Sequence, residues 1–209
     1  MRIGIDFDNT IICYDRIFHA AAVARELIPE DTGHDKTAVR DYLRAAGNED
    51  AWTELQGIVY GKDIDRAKPY PDVKRFILDR IAHGDDVFIV SHKTKFPYIG
   101  EPHNLHDAAR NWLFNNNILV STGDGLLETS AFFELTKEDK LARIAALSCD
   151  VFIDDLPEFL REPGFPKPTH RVLFDPEQRH EADDTLEIIH SWKDAISRAK
   201  TAWPHNAGS

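Results

Sequence analysis

Asp6-Phe7-Asp8-Asn9-Thr10 places two carboxylates and a hydroxyl directly after the short apolar run Ile3-Gly4-Ile5. An apolar run that stops at a carboxylate reads as a buried strand delivering a charged residue to the edge of a sheet. In a backbone that stays extended, Asp6 and Asp8 face the same side and Phe7 turns towards the core. Two anions held that close repel each other, so the arrangement is costly unless a cation or a shared proton offsets it. The theme returns at Val151-Phe152-Ile153, which ends in Asp154 and Asp155, and Val87-Phe88-Ile89-Val90 ends in the hydroxyl of Ser91. Lys140 stands near the start of the helical pattern that precedes Asp154.

Together these residue types supply the parts of a phosphoryl-transfer site. A carboxylate such as Asp6 can attack phosphorus and divide hydrolysis into two easier steps. Asp8 can protonate the leaving oxygen and later take a proton from water. Asp154 and Asp155 are hard oxygen ligands that suit Mg2+, and such an ion relieves the crowding around Asp6. Thr10, Ser91 and Lys140 can hold phosphate oxygens, and His92, next to Ser91, faces the substrate side.

Other residues carry weaker signals. Asp124 also follows an apolar run, Ile118-Leu119-Val120, but no Lys-bearing helix precedes it, so residues 123–125 read as a turn. His92, His103 and His106 lack zinc-site spacing. Lys93 and Lys95 fit a solvated loop and a phosphate funnel equally well. Trp52 and Tyr60 read as core of a helical segment rather than lid contacts.

These groups converge only if the chain folds to bring distant strand ends together. At 209 residues, with 42% hydrophobic and 29% charged residues, the chain can bury a full core. A net charge of -11 argues against a nucleic-acid partner, which requires clustered Lys and Arg. No apolar run is long enough to span a bilayer and no signal segment opens the chain, which points to a cytoplasmic protein without a membrane partner. Cys13 and Cys149 are too few for a disulfide framework and read as small hydrophobes.

Helical periodicity covers residues 14–28, with Pro29 as its stop, then 37–46 and 50–60 with Asn48 as a cap of the latter. Pro69 and Pro71 mark a boundary, after which residues 72–83 form an amphipathic helix. Strands are expected at 87–91, 118–120, 131–135, 150–155 and 171–175, and helices at 105–115, 137–147 and 185–199, the second capped by Thr136. Residues 160–169 are proline-rich loop, and the last residues, through Gly208 and Ser209, are expected to fray. Apolar strands separated by helices predict an α/β fold with a parallel sheet covered on both faces, and ligands beyond the carboxyl ends of its strands.

The run Asp6-Phe7-Asp8-Asn9-Thr10 after an apolar strand resembles the first motif of the haloacid dehalogenase-like superfamily, most of whose members are magnesium-dependent phosphatases. Ser91, Lys140 and the Asp154-Asp155 pair match the second, third and fourth motifs in type and order, so the resemblance spans nearly the whole chain. It implies a three-layer Rossmann-like core, residues 1–14 and 69–209, with a small helical cap inserted at 15–68. It implies Asp6 as nucleophile and Asp8 as acid and base. It also implies a Mg2+ site made by Asp6, Asp8 through its backbone carbonyl, Asp154 and Asp155. The expected partner is a small phosphorylated metabolite, a nucleotide or a sugar phosphate. Two alternatives stand beside this: a dehalogenase-like displacement at carbon, against which Asp8 and Asp154 count, and a non-catalytic binding or regulatory member of the fold.

Overall fold

The computed structural model describes residues 1–123, 125–181, 183–201 and 203. Asp124 and the terminal residues expected to fray therefore lie outside the described residues. In chain order the strands are β1 (Arg2–Ile5), β2 (Ile12–Cys13), β3 (Lys68–Pro69), β4 (Asp86–His92), β5 (Leu119–Val120), β6 (Leu126–Leu127), β7 (Ala131–Glu134), β8 (Val151–Asp154), β9 (His170–Phe174) and β10 (Glu187–Ile189). The α-helices are α1 (Asp15–Val23), α2 (Lys36–Ala45), α3 (Glu49–Tyr60), α4 (Val73–Ala82), α5 (Leu105–Asn115), α6 (Lys137–Ala146), α7 (Pro157–Leu160) and α8 (Trp192–Thr201).

Six strands form one parallel sheet in the order β10-β9-β8-β1-β4-β7. The chain starts in the middle, builds outward through β4 and β7, then crosses back to the other side of β1. The switch point, where an open α/β sheet opens a crevice for ligands, therefore falls between β1 and β8. Strand alternation divides the sheet into two apolar faces. Ile3, Ile5, Ile89, Val151 and Ile153 pack with Phe76 of α4, Trp112 of α5 and Trp192 of α8. Val90, Phe152 and Leu173 face the opposite way, against Ile144 of α6 and Phe159 of α7. The expected three-layer α/β core is what the chain forms.

β2 and β3 pair antiparallel, Ile12 with Pro69 and Cys13 with Lys68. Between the two arms lie α1, α2, α3 and a 3-10 turn, Ile64–Arg66. Phe18 of α1 packs on Trp52 of α3, ring centroids 5.1 Å apart, and the helices' buried residues join the core on the α4 side of the sheet. Among the described residues no helix is long and apolar enough to cross a membrane.

Several expectations need correction. The helix expected at 185–199 is a strand, β10, followed by a helix that begins only at Trp192. Leu186 and Ile189 are buried as the periodicity requires, but Ile189 is so as a strand residue paired with β9 and Leu186 just before that strand. The break is made at Ser191, whose Oγ accepts from the Asp194 backbone N–H, while the Asp194 carboxylate accepts from His190 N–H. This reciprocal cap is a helix start the apolar pattern hides. α1 ends at Val23, before Pro29, in a turn where Glu26 has φ 56° and Leu27 N–H bonds Ala22 O. Asn48 occupies the cap position of α3 without making a side-chain cap bond, whereas Thr136 caps α6 by accepting from Asp139 N–H. Leu119 and Val120 pair with β6 outside the main sheet.

Candidate functional site

β1 delivers Asp6 to the switch point. Asp6 N–H still bonds Ile153 O at 2.9 Å, so the ladder to β8 continues one residue beyond the strand and sets Asp6 beside Asp154. The backbone then leaves the extended path: Ile11 N–H and Ile12 N–H both reach Phe7 O, and Asn9 adopts φ 55°. Phe7 is buried against Trp112 and Phe133, as expected. Because the chain turns here, simple alternation does not govern Asp8, and the two carboxylates find different partners.

Lys140 projects from the first turns of α6 with its Nζ 2.7 Å from Asp6 Oδ1 and 2.6 Å from Asp154 Oδ2. All three groups are buried. Asp154 is fixed further by Leu156 N–H, 2.9 Å from Oδ1. Carboxylate oxygens of Asp6, Asp154 and Asp155 lie within 4.8 Å of one another. Burial is the largest influence on Asp6 and pushes its pKa up to about 7; Lys140 opposes that rise, and Asp154 and Asp8 add to it. Asp155 is raised well above the usual carboxylate range by burial and then by Asp154 and Asp6. For Lys140, burial favours the neutral amine, but Asp154 and Asp6 outweigh it and hold the ammonium firmly charged.

One lysine thus offsets only part of the negative charge collected at the end of β1 and β8. Three convergent hard-oxygen donors, two of them pushed towards protonation, are a donor set that fits a divalent cation of the Mg2+ class. The Asp8 carboxylate stands outside this group. Lys93 Nζ lies 2.8 Å from its Oδ2, and the Tyr14 hydroxyl donates to Oδ1 at 2.8 Å.

A cavity of about 370 Å3 opens over the strand ends, lined by Asp6, Asp8, Asn9, Ser91, His92, Lys140 and Asp155 from the core and by Lys36, Gln56 and Tyr60 from α2 and α3. Ser91 is 1% exposed and its Oγ has no hydrogen-bond partner among the described residues. Asn9 Oδ1 is likewise buried and unpartnered. A second cavity of about 220 Å3 adjoins the first, sharing Asp8, Gln56, Tyr60 and His92 and extending to Lys93, Thr94, Tyr98 and Leu105. The pKa of His92 is lowered, first by burial and then by Lys140.

The structure brings together Asp6, Asp8, Ser91, His92, Lys140 and Asp155 around one cavity, with Asp154 beneath them. Thr10 behaves differently from its expected role as a phosphate contact. It is wholly buried, does not line the cavity, and turns its hydroxyl to Asp155 Oδ1 at 3.5 Å. His103 pairs with Glu101, and His106 Nε2 lies 2.7 Å from Lys93 O, so neither joins His92. Lys95 does not line either cavity, whereas Lys93 is 4% exposed and committed to Asp8.

Sequence reasoning missed Lys36 and Tyr14 and favoured core over lid contact for Tyr60. Tyr14 follows the β2 arm, and its closeness to Asp8 arises from the turn at Asn9, which an extended reading cannot anticipate. For Lys36 the sequence carries no distinguishing signal. Half-buried on α2, it sits with its Nζ 5.5 Å from the Tyr60 ring centroid. Burial would lower its pKa, but the Tyr60 hydroxyl, Asp155 and Asp8 prevail and raise it.

No protein-family model and no curated protein sequence matches the chain. Solved structures do. A haloacid dehalogenase-like family hydrolase of Xanthomonas campestris superposes with a TM-score of 0.55 at 9% identity, over 96% of this chain and 94% of that one. A HAD-superfamily hydrolase of Ehrlichia chaffeensis gives 0.50 at 13% identity over 94% of each chain. An L-2-haloacid dehalogenase of Xanthobacter autotrophicus, solved with chloropropionic acid covalently bound, gives 0.50 at 13% identity, over 96% of this chain and 98% of that one. The chain has the fold of the HAD-superfamily hydrolases, as its motifs imply. At these identities the likeness speaks for the fold alone, and the acidic group at the strand ends is its own evidence.

Proposed function

We propose that the protein is a divalent-metal-dependent phosphomonoester hydrolase acting on a small phosphorylated metabolite through an aspartyl-phosphate on Asp6. The observation that carries this reading is the convergence of Asp6, Asp154 and Asp155 beside the unpartnered Ser91 hydroxyl. A carboxylate that merely displaces a leaving group from carbon gains nothing from two more carboxylates pressed against it. One that attacks phosphorus benefits from the cation such a cluster attracts.

Asp6, Asp154 and Asp155 would hold the metal together with the Asp8 backbone carbonyl, and the bound cation would supply positive charge that keeps Asp6 ionised and neutralises phosphoryl oxygens. Asp6 Oδ attacks phosphorus; Lys140, already on Asp6 Oδ1, orients that carboxylate and reaches the phosphoryl group as a point charge. Ser91 Oγ donates to a phosphoryl oxygen, filling its empty hydrogen-bond capacity. Asp8 gives a proton to the leaving oxygen and then receives one from the water that cleaves the phosphoenzyme, with Lys93 and Tyr14 holding its side chain.

The insert of residues 15–68 acts as the cap, since Lys36, Gln56 and Tyr60 form the cavity wall opposite the strand ends and exclude water there. The two adjoining cavities offer room for a nucleotide or sugar phosphate, with the ester's alcohol portion beyond Asp8.

Asp6→Asn is expected to abolish turnover of a generic aryl phosphate while leaving the fold intact. Turnover surviving that change, or surviving complete chelation of metal, sinks the mechanism. Displacement of halide from a 2-haloacid, with no phosphate release from any ester, would favour the carbon chemistry instead.

A further inference from the structure

We infer that Lys36, carried into the cavity by α2, is a substrate-anion ligand, and that Arg179 is the positioning residue that sets it there. The inference rests on the phosphatase reading and adds to it a binding cation that comes from the insert rather than from the strand ends.

The cavity's charges are mostly committed. Lys140 is held between Asp6 and Asp154, and Lys137 lies 2.6 Å from Glu162 Oε1. Lys36 is the remaining lysine of that wall, and among the described residues it has no carboxylate within salt-bridge distance. Its Nζ lies beside Tyr60, 5.5 Å from the ring centroid. Across the same cavity, the Ser91 hydroxyl is 1% exposed and unpartnered. A buried donor without an acceptor and an ammonium in direct contact with no carboxylate among the described residues, facing one cavity, are complementary to an anion with several oxygens.

Lys36 is held in place from outside the insert. Arg179, in the loop after β9, donates from Nη1 to Thr37 Oγ1 and from Nη2 to Asp35 Oδ1, both at 3.3 Å, and also pairs with Glu177. The guanidinium therefore grips the residues on either side of Lys36. Asp35 is in turn the N-cap of α2, accepting from Ala38 N–H at 3.0 Å, so the grip is transmitted to the first turn of the helix. Arg179 and Asp35 are both partly exposed, so this bridge contributes little to folding.

The test is calorimetric titration of inorganic phosphate into the Mg2+-loaded protein, with Mg2+ binding titrated separately in each variant. Lys36→Met, which retains the apolar stem, is expected to weaken phosphate binding at least about tenfold and to leave Mg2+ binding undiminished. Arg179→Met is expected to weaken phosphate roughly threefold, and to add nothing in the Lys36→Met background, as a residue acting through Lys36 must. Circular dichroism melts check that each variant folds. A Lys36→Met protein that binds phosphate as the parent does, while Ser91→Ala does not, overturns the role of Lys36 and leaves the phosphatase reading standing. An Arg179→Met effect that persists in the Lys36→Met background overturns the positioning role. A parent protein that binds no phosphate with Mg2+ present counts against the phosphatase reading itself and removes this inference with it.

Discussion

Ser91 shows how a residue proposed to bind a ligand is expected to differ from a structural one. Buried hydroxyls ordinarily find a partner, and leaving one unmade costs free energy. Ser91 Oγ has none, so Ser91→Ala should be neutral or raise stability by up to about 1 kcal/mol, while raising KM for a phosphate ester about tenfold. Denaturant unfolding and steady-state kinetics on the same variant check both halves; a loss of stability with unchanged KM would make Ser91 structural. Asp6, Asp8, Ser91, Lys140, Asp154 and Asp155 were legible in the sequence because each stands at the end of an apolar run or in the first turns of a capped helix. Lys36, Tyr14 and the Lys93–Asp8 pair were not, since their closeness depends on how the insert docks and where the chain turns at Asn9. Thr10 was misplaced for a related reason: a hydroxyl beside two carboxylates can serve a ligand or a neighbour, and only the turn decides.

β1 is the element on which the site hangs, and the Phe152 ring of its neighbour β8 occupies the space that a side chain at position 4 would take. A Cβ there would lie 2.5 Å from Phe152 Cδ2 and 3.1 Å from Cys149 Sγ. Phe152 also underlies Lys140, whose Nζ is 5.4 Å from the ring centroid. Gly4→Ala should therefore destabilise the protein by about 1–3 kcal/mol and lower activity as well, because the shift passes to the lysine that orients Asp6. Urea unfolding and the turnover number measure the two effects, and a variant as stable and active as the parent would contradict this packing. Strand-by-strand legibility followed burial. Continuous apolar runs such as β4 and β8 announce themselves, whereas residues 185–199 carry a helical period that the edge pairing of β10 overrides. The Ser191-Asp194 cap was visible in the residues, but the run of Leu186, Ile189, Trp192 and Ile196 masked it.

Across the whole molecule the net charge is -11, and the carboxylates gathered at the sheet's carboxyl ends have a consequence for pH. Asp6 has a folded pKa raised from 3.8 to about 7, so the fold prefers it neutral. Below 3.8 it is protonated in both states and costs nothing; between 3.8 and about 7 the unfolded chain releases the proton that the folded state keeps, so the metal-free protein loses stability across that window, and the loss is complete above it. Asp155 acts in the same direction. A divalent cation competes with those protons and reverses the loss, so the increase in Tm produced by Mg2+ should be small near about pH 5 and grow towards about pH 8. Calorimetric melts with and without Mg2+ read this directly, and an increment independent of pH would mean that the carboxylate cluster is not the binding site. At this scale the sequence spoke clearly: alternating strands and helices gave the layers. The strand order and the docking of three short helices depend on contacts far apart in the chain and had to be seen.

In the proposed mechanism Asp6 becomes covalently phosphorylated during turnover. Mass spectrometry of protein quenched while hydrolysing an aryl phosphate with Mg2+ present tests it. The predicted result is a phosphoryl adduct on the peptide bearing Asp6, removed by hydroxylamine and missing from Asp6→Asn. Steady turnover with no adduct on Asp6, or with the adduct on another residue, would contradict it.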